Sequence, residues 1–155
     1  MVNLRRRSML ELPSSGASNG LSYINYTSGT AGDAFINNDG HIETVSKLTG
    51  GSWATVRAYF INPIPINTGD TVRLVTQRTG TLNNVYCDYG LSAEGVSATG
   101  LLTSSKPYSG NLDVTYTAQK DVDAQWFVIT SRTAALSGEC EIAVQVYVNG
   151  VAQLK

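Results

Sequence analysis

The sequence predicts an all-β protein, an antiparallel β-sandwich of the jelly-roll type or a related Greek key, with an extended N-terminal arm. Short runs rich in β-branched and aromatic residues recur, with turn residues between them, at about ten-residue spacing. No segment sustains a helical period. The 155 residues, of which 42% are hydrophobic and only 15% charged, suit one domain with many turns. A Greek-key barrel is the alternative architecture.

The first strands are predicted after residue 20. Residues 21–27 are aromatic and β-branched, and residues 34–37 and 41–46 flank an Asn-Asp-Gly turn that predicts a short hairpin at a sheet edge. Residues 53–61 alternate, which assigns Ala54, Val56, Ala58 and Phe60 to the core and Trp53, Thr55, Arg57 and Tyr59 to the outer face.

Two prolines interrupt the pattern next. Because proline cannot donate to a strand ladder, Pro63 and Pro65 exclude a central strand and predict an extended connection. Further strand patterns follow at residues 71–77, 85–90, 112–116, 125–130 and 139–149. Between them, residues 92–110 form a long polar loop in which Leu101 and Leu102 suggest a short strand.

The last strand has the clearest pattern. Cys140, Ile142, Val144, Val146 and Val148 share one face, and Glu141, Ala143, Gln145 and Tyr147 share the other. Asn149 and Gly150 then predict a tight turn that folds residues 151–154 back as a terminal hairpin. We therefore divide the chain into residues 1–20, an anchoring arm with its spacer, and residues 21–155, a β-sandwich domain.

The arm differs from the body in charge. It holds three of the 11 basic residues as a run of arginines, whereas the chain as a whole has 12 acidic residues. Arginine pairs bidentately with carboxylates, and nearby apolar side chains can be buried on a partner. The predicted docking residues are Leu4, Arg5, Arg6, Arg7, Met9, Leu10 and Leu12. A disordered tail is the alternative, and nucleic acid is not an expected partner because the body has no basic stripe.

Charge and cysteine usage bear on assembly. Few charges and a formal net charge of −1 give little protection against self-association, so we expect a homo-oligomer or a subunit packed into a lattice. Analogy with other oligomers, and not the composition, favours a trimer or a dimer. No apolar run is long enough for a membrane helix, and no signal-peptide pattern is present, so we expect neither a membrane partner nor secretion. Cys87 and Cys140 lie among apolar neighbours and are expected to be free thiols.

No catalytic constellation is recognisable. His41 and Glu43 could share a strand face and bind a metal, but solvated polar groups of a hairpin are the favoured interpretation. An Asx-rich turn explains the group Asp33, Asn37, Asn38 and Asp39 as well as calcium does. The carboxylate pairs Glu139 with Glu141 and Asp121 with Asp123 resemble edge protection more than glycosidase chemistry. We expect no enzyme activity, no metal and no cofactor.

Aromatic residues supply a different hypothesis. A flat π face suits the C–H face of a pyranose, so Tyr23, Tyr26, Trp53, Tyr59, Tyr86 and Tyr108 could stack on sugars. Core packing or a subunit interface would explain them equally well. The candidates for a glycan or interface site are Trp53, Tyr59, Tyr86 and Tyr108, together with the loop of residues 92–110.

Two stretches carry a resemblance. The opening Met-Val-Asn-Leu-Arg-Arg-Arg-Ser-Met-Leu resembles the start of small proteins in phages of gut bacteria, where Leu-Arg-Arg-Arg precedes a β-rich appendage domain. Residues 66–74, Ile-Asn-Thr-Gly-Asp-Thr-Val-Arg-Leu, are similar to jelly-roll modules of carbohydrate-binding type in phage fibres.

The resemblance implies a structural protein of a phage virion. It implies a capsid decoration or a head-fibre or other appendage component, assembled in the host cytoplasm and anchored by its arm to capsid or tail proteins. The alternative is a carbohydrate-binding module of a tail or fibre protein that adheres to host surface glycans.

Overall fold

The computed structural model describes residues 19–26, 34–44, 55–80, 87–93, 101–105, 111–131 and 140–155. This part of the chain forms eleven strands: β1 Leu21–Tyr26, β2 Ala34–Ile36, β3 Ile42–Thr44, β4 Thr55–Ile66, β5 Thr71–Gly80, β6 Cys87–Ala93, β7 Leu101–Ser105, β8 Leu112–Thr117, β9 Val122–Ser131, β10 Cys140–Val148 and β11 Val151–Ala152. The short strand expected at Leu101 is present as β7.

The strands form two antiparallel sheets. The first has five strands in the order β1-β4-β9-β6-β7. The second has six, in the order β2-β3-β10-β5-β8, with β11 paired to β10. Two such sheets packed face to face are a β-sandwich, so the predicted fold class is confirmed. The hairpin of β2 and β3 lies at a sheet edge, as its turn sequence predicts.

The core lies between the sheets and is built from alternating strand positions. Ala58 and Phe60 of β4 are buried in it, and Arg57 and Tyr59 are not, which confirms the predicted facing of that strand. The second sheet contributes Ile142, Val144 and Val146 of β10, as the alternation predicts. Other large side chains of the core are Ile42, Ile64, Ile66, Val72, Leu74, Leu91, Phe127 and Ile129.

The prediction for the two prolines is wrong. Pro63 and Pro65 lie inside β4, and Pro65 is opposite Asp123 of β9. The pairing of β1 with β4 reaches only to Phe60. Beyond that point the described part of β4 pairs with β9 alone, so the prolines need no N–H donor on the open side of the strand. The register of β4 with β9 also shifts ahead of Ile64.

The predicted terminal hairpin is confirmed. Asn149 and Gly150 have φ values of 51° and 82°, and positive φ at both central residues is what a tight turn of this type requires. Val148 is then opposite Val151. Among the described residues, no helix is long and apolar enough to cross a membrane.

Candidate functional site

Most of the predicted site residues lie outside the described residues. This holds for the arm residues Leu4, Arg5, Arg6, Arg7, Met9, Leu10 and Leu12, and for the aromatics Trp53, Tyr86 and Tyr108. Their roles stay predictions. Tyr59 is described, and it lies on the outer face of the five-stranded sheet.

Tyr59 belongs to a row of side chains that crosses four strands. Tyr23 of β1 is opposite Tyr59 of β4, Tyr59 is opposite Trp126 of β9, and Trp126 is opposite Ser92 of β6. Residues directly opposite on neighbouring strands point to the same side of a sheet. Because Phe127 packs in the core, Trp126 and its cross-strand partners point outward. We call Tyr23, Tyr59 and Trp126 the aromatic row.

The rings of the aromatic row are in contact. Tyr23 stacks on Tyr59 with ring centroids 4.4 Å apart and an interplanar angle of 8°. The ring of Tyr59 is tilted by 50° against that of Trp126, at 5.2 Å between centroids. Such offset-stacked and tilted pairs contribute about 0.5–1.5 kcal/mol each beyond their buried area. The row is therefore a rigid aromatic surface.

Exposure increases along the row toward the edge of the sheet. Trp126 is 6% exposed and Tyr23 is 55% exposed. One face of the Tyr23 ring is covered by Tyr59, so its exposed area belongs mainly to the opposite face and the ring edge. A large aromatic side chain this exposed on a sheet edge is available to an external partner.

Arg57 lies beside the row, one pair of residues along β4. Its guanidinium carbon is 5.2 Å from the centre of the Trp126 ring, within the range of a cation–π interaction. Arg57 is opposite Val128 of β9, which is buried. The indole thus contacts both a cation and a second aromatic ring.

Unpaired polar atoms concentrate on this face. Of the described residues, four have a buried side-chain polar atom without a hydrogen-bond partner. Three of those atoms are Nε of Arg57, Oγ of Ser92 and Nε1 of Trp126, all in the aromatic row or next to it. The fourth is the hydroxyl of Tyr116, whose burial raises its pKa to about 12. Buried polar groups are nearly always paired in folded proteins, so three unpaired atoms on one face distinguish this part of the sheet.

A second group of polar residues lies at the edge of the six-stranded sheet. Nδ1 of His41 is 2.6 Å from Oε1 of Glu141, which is a hydrogen bond between the β2–β3 hairpin and β10. The predicted partner of His41 was Glu43; the amide of Asn37 donates to both Glu43, at 3.2 Å, and Glu141, at 3.3 Å. The partner of His41 thus comes from 100 residues further along the chain.

This group borders a cleft between the two sheets. The cleft has a volume of about 550 Å³. Its lining includes Ile36, Asn37, His41, Ile61, Gln145 and Leu154. The lining mixes apolar and polar side chains, with Gln145 buried and Ile61 exposed.

Two further carboxylates considered from the sequence, those of Asp121 and Glu139, are not among the residues of the two groups described above. Asp121 accepts hydrogen bonds from the backbone N–H of Thr68 at 2.7 Å and from its hydroxyl at 2.8 Å. These bonds lower the pKa of Asp121. Asp121 therefore stabilises the turn that contains Thr68. Glu139 lies outside the described residues.

Trp126 is not identified from the sequence, and Ser92 enters only as the first residue of the candidate loop 92–110. Residues 125–130 are almost uniformly apolar, so no alternation indicates which side chains point outward. Ser92 lies at the start of the stretch read as a loop, whereas the structure continues β6 to Ala93. The one available signal was that Trp126 is large and carries a polar N–H, a combination that requires a partner.

Two solved structures are similar to this chain in fold. One is a low-affinity xylan-binding module, CBM86, from the xylanolytic gut symbiont Roseburia intestinalis, with 12% identity and a TM-score of 0.45 over 80% of this chain and 86% of that chain. The other is BiXyn10A CBM1 in its apo form, with 12% identity and a TM-score of 0.47 over 83% of this chain and 97% of that chain. No protein-family model and no curated protein matches the sequence.

Proposed function

We propose that this domain binds a glycan chain on the outer face of its five-stranded sheet. The observation that carries the proposal is the aromatic row, which ends at the sheet edge in a tyrosine that is 55% exposed. Glycan binding by surface aromatics needs no catalytic residues. It needs a rigid π face.

The row supplies the π face. A pyranose stacked on the open face of Tyr23 would extend the existing stack of Tyr23 on Tyr59 by one ring. Tyr59 is itself supported by Trp126, so little side-chain freedom is lost when a sugar binds. A small loss of side-chain entropy is important for glycan binding, because each sugar makes few contacts that could compensate for a larger loss.

The unpaired polar atoms beside the row, Nε1 of Trp126, Nε of Arg57 and Oγ of Ser92, are all buried. A sugar on the open face of Tyr23 does not reach them unless the side chains around them move. The proposal therefore rests on the exposed π face.

The test is binding of soluble polysaccharides, by affinity electrophoresis and calorimetry, to the whole protein and its variants. Xylan is the first polysaccharide to try, since it is the ligand named for one of the similar structures. A panel of host-surface glycans follows. We expect Tyr23→Ala to weaken binding by at least about tenfold, because it removes the exposed ring, and Tyr59→Ala to do the same.

Tyr147 provides the matched control. It lies on β10 in the other sheet, with the guanidinium carbon of Arg73 5.2 Å from its ring centre, a similar pairing to that of Arg57 with Trp126. Tyr147→Ala should leave glycan binding unchanged. A folded wild-type protein that binds no glycan in the panel would overturn the proposal, and so would equal losses in Tyr23→Ala and Tyr147→Ala.

The setting of this glycan-binding domain is proposed from the sequence. The basic and apolar composition of residues 1–12 favours a tether to a larger particle, and the resemblance of the opening residues favours a phage virion. In that setting the arm holds the domain and the aromatic row contacts the host surface.

A further inference from the structure

We propose that Asp39, His41 and Glu141 form a binding site for a divalent transition-metal ion of the zinc type. Each of the three offers one ligand atom, and those atoms all lie within 4.8 Å of one another. The site is on the six-stranded sheet and does not depend on the glycan-binding proposal.

The hairpin of β2 and β3 brings the three residues together. Glu141 of β10 is opposite Glu43 of β3, so His41, two residues before Glu43, lies at the diagonal position on the same face, within reach of the Glu141 side chain. Asp39 lies in the turn just before His41. The ligand set is therefore created by strand pairing between distant parts of the chain.

Asn37 holds the hairpin in this shape. Its side-chain oxygen accepts hydrogen bonds from the backbone N–H groups of Asp39 and His41, both at 3.0 Å. Its side-chain amide donates to Glu43 and Glu141. Residues that orient ligands in this way are typical of metal sites, where supporting hydrogen bonds determine ligand geometry.

Local charge favours a cation. Glu43 and Glu141 are directly opposite on β3 and β10, and like charges in that arrangement are unfavourable. Asp39 adds a third carboxylate to the same edge of the sheet, and two of the three, those of Asp39 and Glu141, have an oxygen within 4.8 Å of a ring nitrogen of His41. The hydrogen bond of His41 with Glu141 offsets part of this repulsion, and a divalent ion would offset more of it.

The chemistry of the donors selects the class of ion. One imidazole and two carboxylates suit zinc and neighbouring transition metals better than calcium or magnesium, which prefer oxygen ligands throughout. Bonds of about 2.0–2.2 Å would draw the three ligand atoms closer than 4.8 Å. The 2.6 Å contact of His41 with Glu141 would open to admit the ion.

The neighbouring cleft leaves room for further ligands. Asp39 and His41 both line it, and its volume is about 550 Å³. Three protein ligands beside an open space are the arrangement in which a zinc ion keeps a position for water or for a bound molecule.

The experiment is a titration of the full chain, free of any affinity tag, with Zn²⁺ and with Co²⁺. We expect one ion per chain by calorimetry, and a melting temperature that rises with metal concentration because the ion binds only the folded state. Co²⁺ should give the visible absorption of nitrogen and oxygen ligands without the intense charge-transfer band of thiolates. That readout separates the proposed site from Cys87 and Cys140.

Variants decide the assignment. His41→Gln, Glu141→Gln and Asp39→Asn should each weaken metal binding by at least about tenfold. Asp39 is exposed, so Asp39→Asn keeps the test valid even where His41→Gln does not fold. Asp123→Asn removes an exposed carboxylate of the other sheet and should bind like the wild type. Absence of binding by the wild type, thiolate absorption with Co²⁺, or wild-type affinity in Asp39→Asn would each overturn the proposal.

Discussion

At the scale of single residues, Gln145 shows how one side chain completes a sheet. β10 is paired with β3 as far as Ile142 and with β11 from Tyr147 onward, which leaves a gap between them. In this gap Oε1 of Gln145 accepts hydrogen bonds from the backbone N–H groups of Val146, at 3.0 Å, and Leu154, at 2.9 Å. Its Nε2 donates to the carbonyl of Leu154 at 2.9 Å. The amide thus substitutes for a missing strand partner.

Gln145→Leu should destabilise the protein by about 2–4 kcal/mol. The substitution keeps the size of this side chain, which is 2% exposed, but leaves several buried backbone groups unpaired. Equilibrium unfolding in urea measures the free-energy change. Gln153→Leu is the control, because the side chain of Gln153 makes an exposed, local hydrogen bond to Val151, and its loss should change stability by about 0.5 kcal/mol or less. Equal costs for the two variants would contradict the assigned role of Gln145.

At the scale of elements, three turns are joined at one end of the sandwich. A carboxylate oxygen of Asp70 accepts from the backbone N–H of Asn67 at 2.8 Å, and the other accepts from the side-chain amide of Asn149, also at 2.8 Å. Asp121 accepts from Thr68, as described above. The turn between β4 and β5 is thereby fastened both to the turn before β9 and to the turn between β10 and β11.

These contacts predict acid sensitivity of the turns. The backbone N–H of Asn67 and then Asn149 lower the pKa of Asp70, and Thr68 lowers that of Asp121. A carboxylate with a lowered pKa stabilises the fold above its unfolded-state pKa and loses that contribution as pH falls through the folded value. The free energy of unfolding should therefore be flat from pH 8 to about 5 and fall below about 4.

Urea unfolding at a series of pH values measures this slope. The double variant Asp70→Asn with Asp121→Asn should show a shallower fall in acid than the wild type, because two of the groups that take up protons on unfolding are gone. Asp123→Asn is the control and should keep the wild-type slope. A double variant with an unchanged slope would show that other carboxylates cause the acid loss.

At the scale of the whole molecule, the two outer faces differ, and Asn19, the first described residue, is hydrogen-bonded to Lys155. The five-stranded sheet carries the aromatic row, whereas the six-stranded sheet carries a bidentate ion pair of Arg73 with Asp113, at 2.8 and 2.6 Å. The backbone N–H of Lys155 donates to the carbonyl of Asn19 at 2.9 Å, and the side chain of Asn19 bonds to Asn62. The described body therefore begins at residue 19, which is hydrogen-bonded to its last residue, two positions before β1 begins at Leu21.

We expect the arm to be separable from the body. Deleting residues 1–12 removes none of the contacts of Asn19, so the melting temperature should change by no more than about 2 °C. If the arm anchors the protein to a virion, the same deletion should abolish incorporation into phage particles, as measured by co-sedimentation. The full chain expressed beside it is the control. Normal incorporation of the truncated protein would reject the anchoring role of residues 4–12.

The fold could be predicted from the sequence where apolar and polar residues alternate clearly along a strand. The strict pattern of β10 and the Asn149–Gly150 turn indicated their structures from local sequence, because one face had to be apolar and one turn type required positive φ. Pro63 and Pro65 of β4 led to a wrong prediction. A strand accepts proline where one of its sides is unpaired, and that depends on β1 ending its pairing with β4 at Phe60. The sequence could not show which side of the sheet Trp126 faces, because residues 127–129, which follow it in β9, are also apolar.

Taken alone, the order of the residues determined the all-β class, most strand positions and the contrast between a basic arm and an acidic body. These are properties of short-range pattern and composition. Only the tertiary structure decided which side chains meet: Tyr23 with Tyr59 and Trp126, and His41 with Glu141. The physical reason is that strand order and register are settled by burying the core between the sheets, and they join residues that local pattern cannot relate.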